Sequence, residues 1–138
     1  MKPWIIFGLL SAVFAAFVAI FGKIGISKTD ATLATTVRAV IMAIFLVVVS
    51  LFLGKAQLLS TLDSRALKFI ILSGIVGAFS WLFYFLALKT GPASGVAALD
   101  RLSVAFVFIL ALLFLKETFT VKGIIGVALI VIGAILMI

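Results

Sequence analysis

Five apolar stretches, each long enough to cross a bilayer as a helix, fill almost the whole of this chain. A hydrocarbon core about 30 Å thick takes roughly 20 helical residues to span. The 138 residues are 67% hydrophobic and 11% charged, with mean hydropathy +1.54, whereas soluble domains are about half apolar and one quarter charged. No water-soluble fold of this size can hide so much apolar surface, so the solvent is lipid. A β-barrel needs alternating apolar and polar residues, and runs such as Phe69 to Leu88 do not alternate. The expected class is an all-α membrane protein with five transmembrane helices. An odd count puts the two chain ends on opposite faces. It also turns a second copy, joined or paired end to end, upside down, which is the inverted repeat of many secondary transporters.

The turns divide the runs. Helix one is predicted from about Trp4 to Ile26, with Lys23 in its last turn, and Ser27-Lys28-Thr29-Asp30 makes the next loop. Helix two covers about Ala31 to Leu53 and contains Arg38. The longest loop, Gly54 to Ala66, carries Leu58, Leu59 and Leu62, which suit the membrane surface. Helix three covers about Leu67 to Leu88, and Lys89-Thr90-Gly91-Pro92 breaks it. Helix four runs from about Ala93 to Leu115 and helix five from about Val121 to Ile138. The opening Met1-Lys2-Pro3 and its apolar run resemble a signal peptide, but the run is long, no clear cleavage site follows, and four more spans come after it. It reads as a retained first helix.

The chain has no cysteine and no histidine, which excludes disulfides, thiolate chemistry and the commonest metal ligands. No metal or cofactor is expected. With no paired carboxylates within one span either, the residues of an intramembrane enzyme are missing. The net charge of +7 comes mostly from Lys and Arg that bracket apolar runs, so it reads as membrane flanking and not as a nucleic-acid surface. Lys2, Lys55, Arg65, Lys68, Lys116 and Lys122 fall on the side of the N-terminus; Lys23, Lys28 and Lys89 fall on the other, with Arg38 and Arg101 deeper. Six against three, or six against five, favours a cytoplasmic N-terminus in a bacterial inner (plasma) membrane. The bias is small enough to allow insertion in both orientations.

Charges inside spans cost about 2.5–3.5 kcal/mol each on insertion scales, so their positions are informative. Arg38 and Asp100 each lie seven residues into a helix that starts on the same face, about 10 Å deep. Lys23, Trp81, Tyr84 and Arg101 reach a similar level. These six residues form a polar layer with two readings. One is a structural salt bridge of Asp100 with Arg38 or Lys23. The other is a substrate-binding pocket whose residual positive charge holds an anionic or zwitterionic group. A second pattern is a face of small or polar residues in helix three: Ser73, Gly77, Ser80, Tyr84 and Ala87. It lets a neighbouring helix approach or lines a wet path. Gly123, Gly126 and Gly133 give helix five a similar face, suited to another helix of a second copy.

Several short pieces carry a family resemblance in order along the chain. They are Phe21-Gly22-Lys23, Ala34-Thr35-Thr36-Val37-Arg38, Tyr84 to Lys89 followed by Gly91-Pro92-Ala93-Ser94, Leu99-Asp100-Arg101-Leu102-Ser103, and Leu113 to Glu117. Together they resemble a single EamA-type unit of the drug/metabolite transporter superfamily, of the short five-helix kind. The resemblance covers residues 1–138 as one unit, half of a ten-helix inverted-repeat fold. It implies a transporter of small metabolites. The chain departs from many members in having Leu115-Lys116-Glu117 in place of Leu-Gly-Glu, and in having Val104 near where many place a helix-four proline. Helix one has no acid, so the glutamate mechanism of four-helix drug exporters does not carry over.

The expected function is therefore a secondary transporter or facilitator of a small metabolite, not an enzyme, working as an antiparallel homodimer in the lipid bilayer. The alternative is a non-transporting assembly partner, or one half of a heterodimeric transporter.

Overall fold

The computed structural model describes residues 2–138. Every regular element among them is helical: α1 (Pro3–Gly25), α2 (Ala31–Phe52), a 3-10 helix (Lys55–Thr61), α3 (Ser64–Thr90), α4 (Ala93–Asp100), α5 (Ser103–Leu110), a π-helical turn (Ala111–Leu115) and α6 (Val121–Leu136). Four helices are long and apolar enough to cross a membrane: α1, α2, α3 and the run Ala93–Leu115 made of α4, α5 and the π turn. The last apolar helix, α6, has 16 residues. At 1.5 Å per residue it is about 24 Å long, short of the full hydrocarbon thickness. It stops before Ile138, the end expected from sequence, because the last carbonyls of a helix have no partners further on and the final turn loosens.

The outer surface is what a lipid solvent requires. Trp4 is 69% exposed and Phe52 91%. The buried set is small and rich in alanine: Ala19, Ala31, Ala98, Ala111 and Ala134, with Ile26, Phe85, Leu88 and Val96. In water such a molecule would aggregate through its exposed apolar faces. Among the described residues no buried side-chain polar atom lacks a hydrogen-bond partner, as a medium without water demands.

Local chemistry sets the helix ends. The Asp30 carboxylate accepts from the Leu33 N–H at 2.9 Å and caps α2. Gly54, at φ 65°, ends that helix in the left-handed region open to glycine. Pro92 precedes α4 in an extended conformation, and α3 ends two residues before it. Thr120 caps α6 by accepting from the Gly123 N–H at 3.2 Å.

The fourth span differs from the single helix expected of Ala93 to Leu115. It breaks at Arg101–Leu102, where the N–H groups of Arg101, Leu102, Val104 and Ala105 each reach back three residues. The backbone stays right-handed helical there, so the break is a tightened 3-10 stretch made without proline. The span then ends in the π turn. The Ala111 carbonyl accepts from both Lys116 and Glu117, and Lys116 takes φ 54°. This is a left-handed helix cap of the kind glycine usually fills.

The chain clusters into two compact units. One comprises residues up to Ile24 together with Thr90–Ile138; the other is Gly25–Lys89. In the first, α4 and α5 pack against α6. The tight approach is at Gly95, where an added Cβ would lie 3.3 Å from the Pro92 ring and 3.6 Å from the Met137 carbonyl oxygen. Phe108 stacks on Phe119 at 3.7 Å between ring centres. In the second unit, the 3-10 helix returns against α2 and leaves a groove of about 490 Å³ bordered by Leu46, Leu58, Leu59 and Leu62.

Candidate functional site

In the Gly25–Lys89 unit, α2 and α3 border a cleft of about 730 Å³. Its polar feature is Arg38. The guanidinium carbon lies 3.7 Å from the centre of the Trp81 ring and 5.5 Å from that of Phe85. Such cation–π contacts contribute about 0.5–1 kcal/mol when exposed and about 2 or more when desolvated. Tyr84 meets the edge of Trp81 at 5.5 Å, and Phe85 approaches both rings at 6.3 Å. Spacings of three and four put these aromatics on one side of α3. The unit's acids, Asp30 and Asp63, make no ion pair with Arg38. The aromatic plate orients the guanidinium without neutralising it.

The rest of the wall is made of small residues. On α2 they are Thr32, Thr35, Thr36, Ala39 and Ala43; on α3 they are Gly74, Gly77 and Ala78. The Thr35 hydroxyl donates to the Ala31 carbonyl at 2.8 Å, and that of Thr36 to Thr32 at 2.9 Å. Each hydroxyl hydrogen is thus committed to its own helix. An added Cβ at Gly74 or Gly77 would meet nothing within 4 Å. The cleft is open space and not a seam between closely packed backbones.

Two lysines brace the turns, one in each unit. Within the first unit, the Lys23 ammonium donates to the Gly91 carbonyl at 2.8 Å. Within the second, Lys89 donates to the carbonyls of Ile26, Thr29 and Ser27 at 2.7, 2.9 and 3.3 Å. An ammonium has three donors, and Lys89 directs them at the carbonyls of one turn.

The residues of the polar layer read from sequence are divided between the two units. Arg38, Trp81 and Tyr84 come together in one unit. Lys23 lies in the other, where it supports the Gly91 turn. Asp100 pairs with its neighbour Arg101 at 3.7 Å, with the side chains 39% and 52% exposed. Of the small face expected on α3, Gly77 lines the cleft, while Gly74 and Ala78 take the places next to it. The threonine and alanine wall of α2 was missed. Its signal is a run of small side chains at helical spacing from Thr32 through Thr35, Thr36 and Ala39 to Ala43. The α6 glycines have open space too: an added Cβ at Gly126 or Gly133 would meet nothing within 4 Å, and one at Gly123 only the Thr120 hydroxyl at 3.6 Å.

An all-helical chain with four helices long and apolar enough to cross a membrane belongs to the class of integral membrane proteins. The chain is a member of the EamA-like transporter family, which matches residues 2–138. It is 40% identical over 136 residues to the "uncharacterized transporter in cobO 3'region" of Sinorhizobium sp., covering 99% of this chain and 96% of the relative. An uncharacterized protein of Methanocaldococcus jannaschii is 35% identical over 137 residues, covering 99% and 97%. The probable 4-amino-4-deoxy-L-arabinose-phosphoundecaprenol flippase subunit ArnF of Pseudomonas syringae is 43% identical over 76 residues, 54% of this chain and 53% of the relative. No solved structure matches the chain.

Proposed function

We propose that this protein is a secondary transporter or facilitator for a small solute, and that the Arg38–Trp81 cleft is where the solute binds. The observation that carries this reading is the Arg38 guanidinium, fixed 3.7 Å from an aromatic face inside a membrane-length helix pair and left unpaired by the acids of its unit. A cation held at that depth is costly to insert and therefore marks a functional position, and its charge suits an anionic or zwitterionic solute.

The working assembly in this reading is a pair of inverted units, each a single five-helix chain with α6 as its fifth span. Such pairing reproduces the two-repeat plan of alternating-access transporters. The small charge bias between faces and the open α6 glycines favour a homodimer in a bacterial inner membrane. A heterodimer is the second reading, favoured by the relative whose name describes a flippase subunit. A reporter fused after Ile138 separates the two: signal on both faces of the membrane supports the inverted homodimer, and signal on one face excludes it. Transport itself is tested by uptake of an anionic metabolite panel into proteoliposomes. Uptake that Arg38→Ala abolishes and Asp100→Ala leaves in place supports the cleft. Equal uptake by all three proteins sinks it. Absence of both uptake and ligand-induced thermal stabilisation across the panel would favour a non-transporting assembly partner instead.

A further inference from the structure

Polarity changes once along the cleft of the Gly25–Lys89 unit. On α2 the polar lining ends at Arg38, with Thr32, Thr35 and Thr36 on the turn side of it; beyond it come Met42, Ala43 and Leu46. On α3, Trp81 stands beside Arg38, and Gly77 and Gly74 continue away from it. Thr32 and Leu46 are fourteen positions apart, about 21 Å at 1.5 Å per residue. One end of the cleft thus offers a guanidinium and an indole, and the longer remainder offers only hydrocarbon and bare backbone. Met42, Ala43, Leu46 and Gly74 are exposed. These positions lie in helices long and apolar enough to cross a membrane, where an exposed apolar face suits lipid chains.

A small hydrated anion would use only the Thr32–Arg38 end of such a slot and would leave the rest without a partner. A purely apolar molecule would leave the guanidinium unmatched. Both halves are matched by a molecule with an oxyanion at one end and an aliphatic tail at the other. We infer that the cleft binds a single-tailed amphiphile with an oxyanionic headgroup beside Arg38, entering sideways from the lipid. The guanidinium forms two parallel hydrogen bonds with a carboxylate or phosphate, while its flat face stays on Trp81. The tail lies along Met42 and Leu46 opposite Gly74 and Gly77, whose missing side chains leave room for it. This deepens the reading of the cleft as the solute site and rests on it.

Trp81 is its own reporter. The chain has two tryptophans, so a Trp4→Phe background leaves Trp81 as the sole indole. In phosphatidylcholine nanodiscs, decyl phosphate should change Trp81 emission saturably. The midpoint should rise about tenfold or more in Arg38→Gln, a loss of about 1.4 kcal/mol. It should rise similarly in Gly74→Leu, which adds bulk to a slot-lining position where a Cβ meets nothing within 4 Å. Inorganic phosphate should need at least about tenfold more than decyl phosphate, and decyltrimethylammonium should give no saturable change. The inference is overturned by inorganic phosphate acting at the same concentration, which makes the cleft a site for soluble anions. It is equally overturned by an equal response to decyltrimethylammonium, by wild-type affinity in Gly74→Leu, or by no response to decyl phosphate. The readout is binding, so the two readings fail separately. A protein that binds decyl phosphate yet moves nothing across liposomes sinks transport alone. One that transports a soluble solute with Trp81 silent to decyl phosphate sinks the amphiphile alone.

Discussion

Arg38 and Arg101 begin from matching positions. Each follows a turn braced by a lysine, Lys89 in the first case and Lys23 in the second, and each stands about two helical turns beyond it. Their surroundings then diverge. Arg38 sits in unbroken helix with its guanidinium against Trp81 and Phe85. Arg101 sits where the helix breaks, more than half exposed and paired with the carboxylate next to it. Exposed ion pairs contribute about 0–1 kcal/mol, so the Arg101 pair mainly neutralises charge. An aromatic plate does the opposite: it fixes a cation and leaves its charge available. The proposed ligand chemistry thus falls at Arg38, and the backbone irregularity is at Arg101.

The largest expected effect tests that division directly. Arg38→Ala should reduce uptake in proteoliposomes by about tenfold or more, which is 1.4 kcal/mol or more, while Arg101→Ala should stay within about threefold, the weight of an exposed ion pair. The reverse order of sensitivity would break the comparison. The two lysines sharpen it next. Hydrogen bonds to a charged group contribute about 1.5–3 kcal/mol each when protected and less when exposed. Lys89→Met, which removes donors from three carbonyls, is expected to lower stability in nanodiscs by about 2 kcal/mol. Lys23→Met should cost about half that; equal losses would show that the turns do not differ. A third test concerns the two left-handed positions, Gly54 and Lys116. Glycine tolerates that conformation and a side chain resists it by about 1 kcal/mol. Lys116→Gly should therefore raise stability by about 1 kcal/mol, and Gly54→Ala should lower it by a similar amount, both read by thermal unfolding. The smallest effect belongs to α6. Gly126→Ala meets open space within the chain, so its stability should change by less than about 0.5 kcal/mol. A shift from dimer to monomer on crosslinking would then mark the contact with a second copy.

Much of this architecture can be read from the residue order, because lipid makes the signal simple. The outer ends of each predicted span from Trp4 to Val121 fall within about three residues of the apolar run that predicts them, and Asp30, Gly54 and Pro92 act as ordinary stop and start signals. The family and transporter class follow from motifs spread along the whole chain. What stays hidden depends on distance or on subtle winding. Lys89 meets Ile26 across 63 positions, and no local pattern announces such a tie. The interruption at Arg101–Leu102 has neither glycine nor proline to mark it. The candidate site was half visible: Arg38, Trp81 and Tyr84 stand out as polar or aromatic at one depth. The small wall of α2 does not, because threonine and alanine are common on any helix in lipid.

The fourth span also changes its aim partway along. A 3-10 stretch advances each residue by about 120° around the axis where an α-helix advances it by about 100°. Four such steps near Arg101 swing everything beyond them by most of a quarter-turn. The π turn at Ala111–Leu115 is wound more loosely and rotates the chain the other way. The span ends at that turn, so the phase gained near Arg101 is kept along Ser103 to Leu110. That section aims its side chains differently from Ala93 to Asp100, like the second half of a shaft joined at a twisted collar.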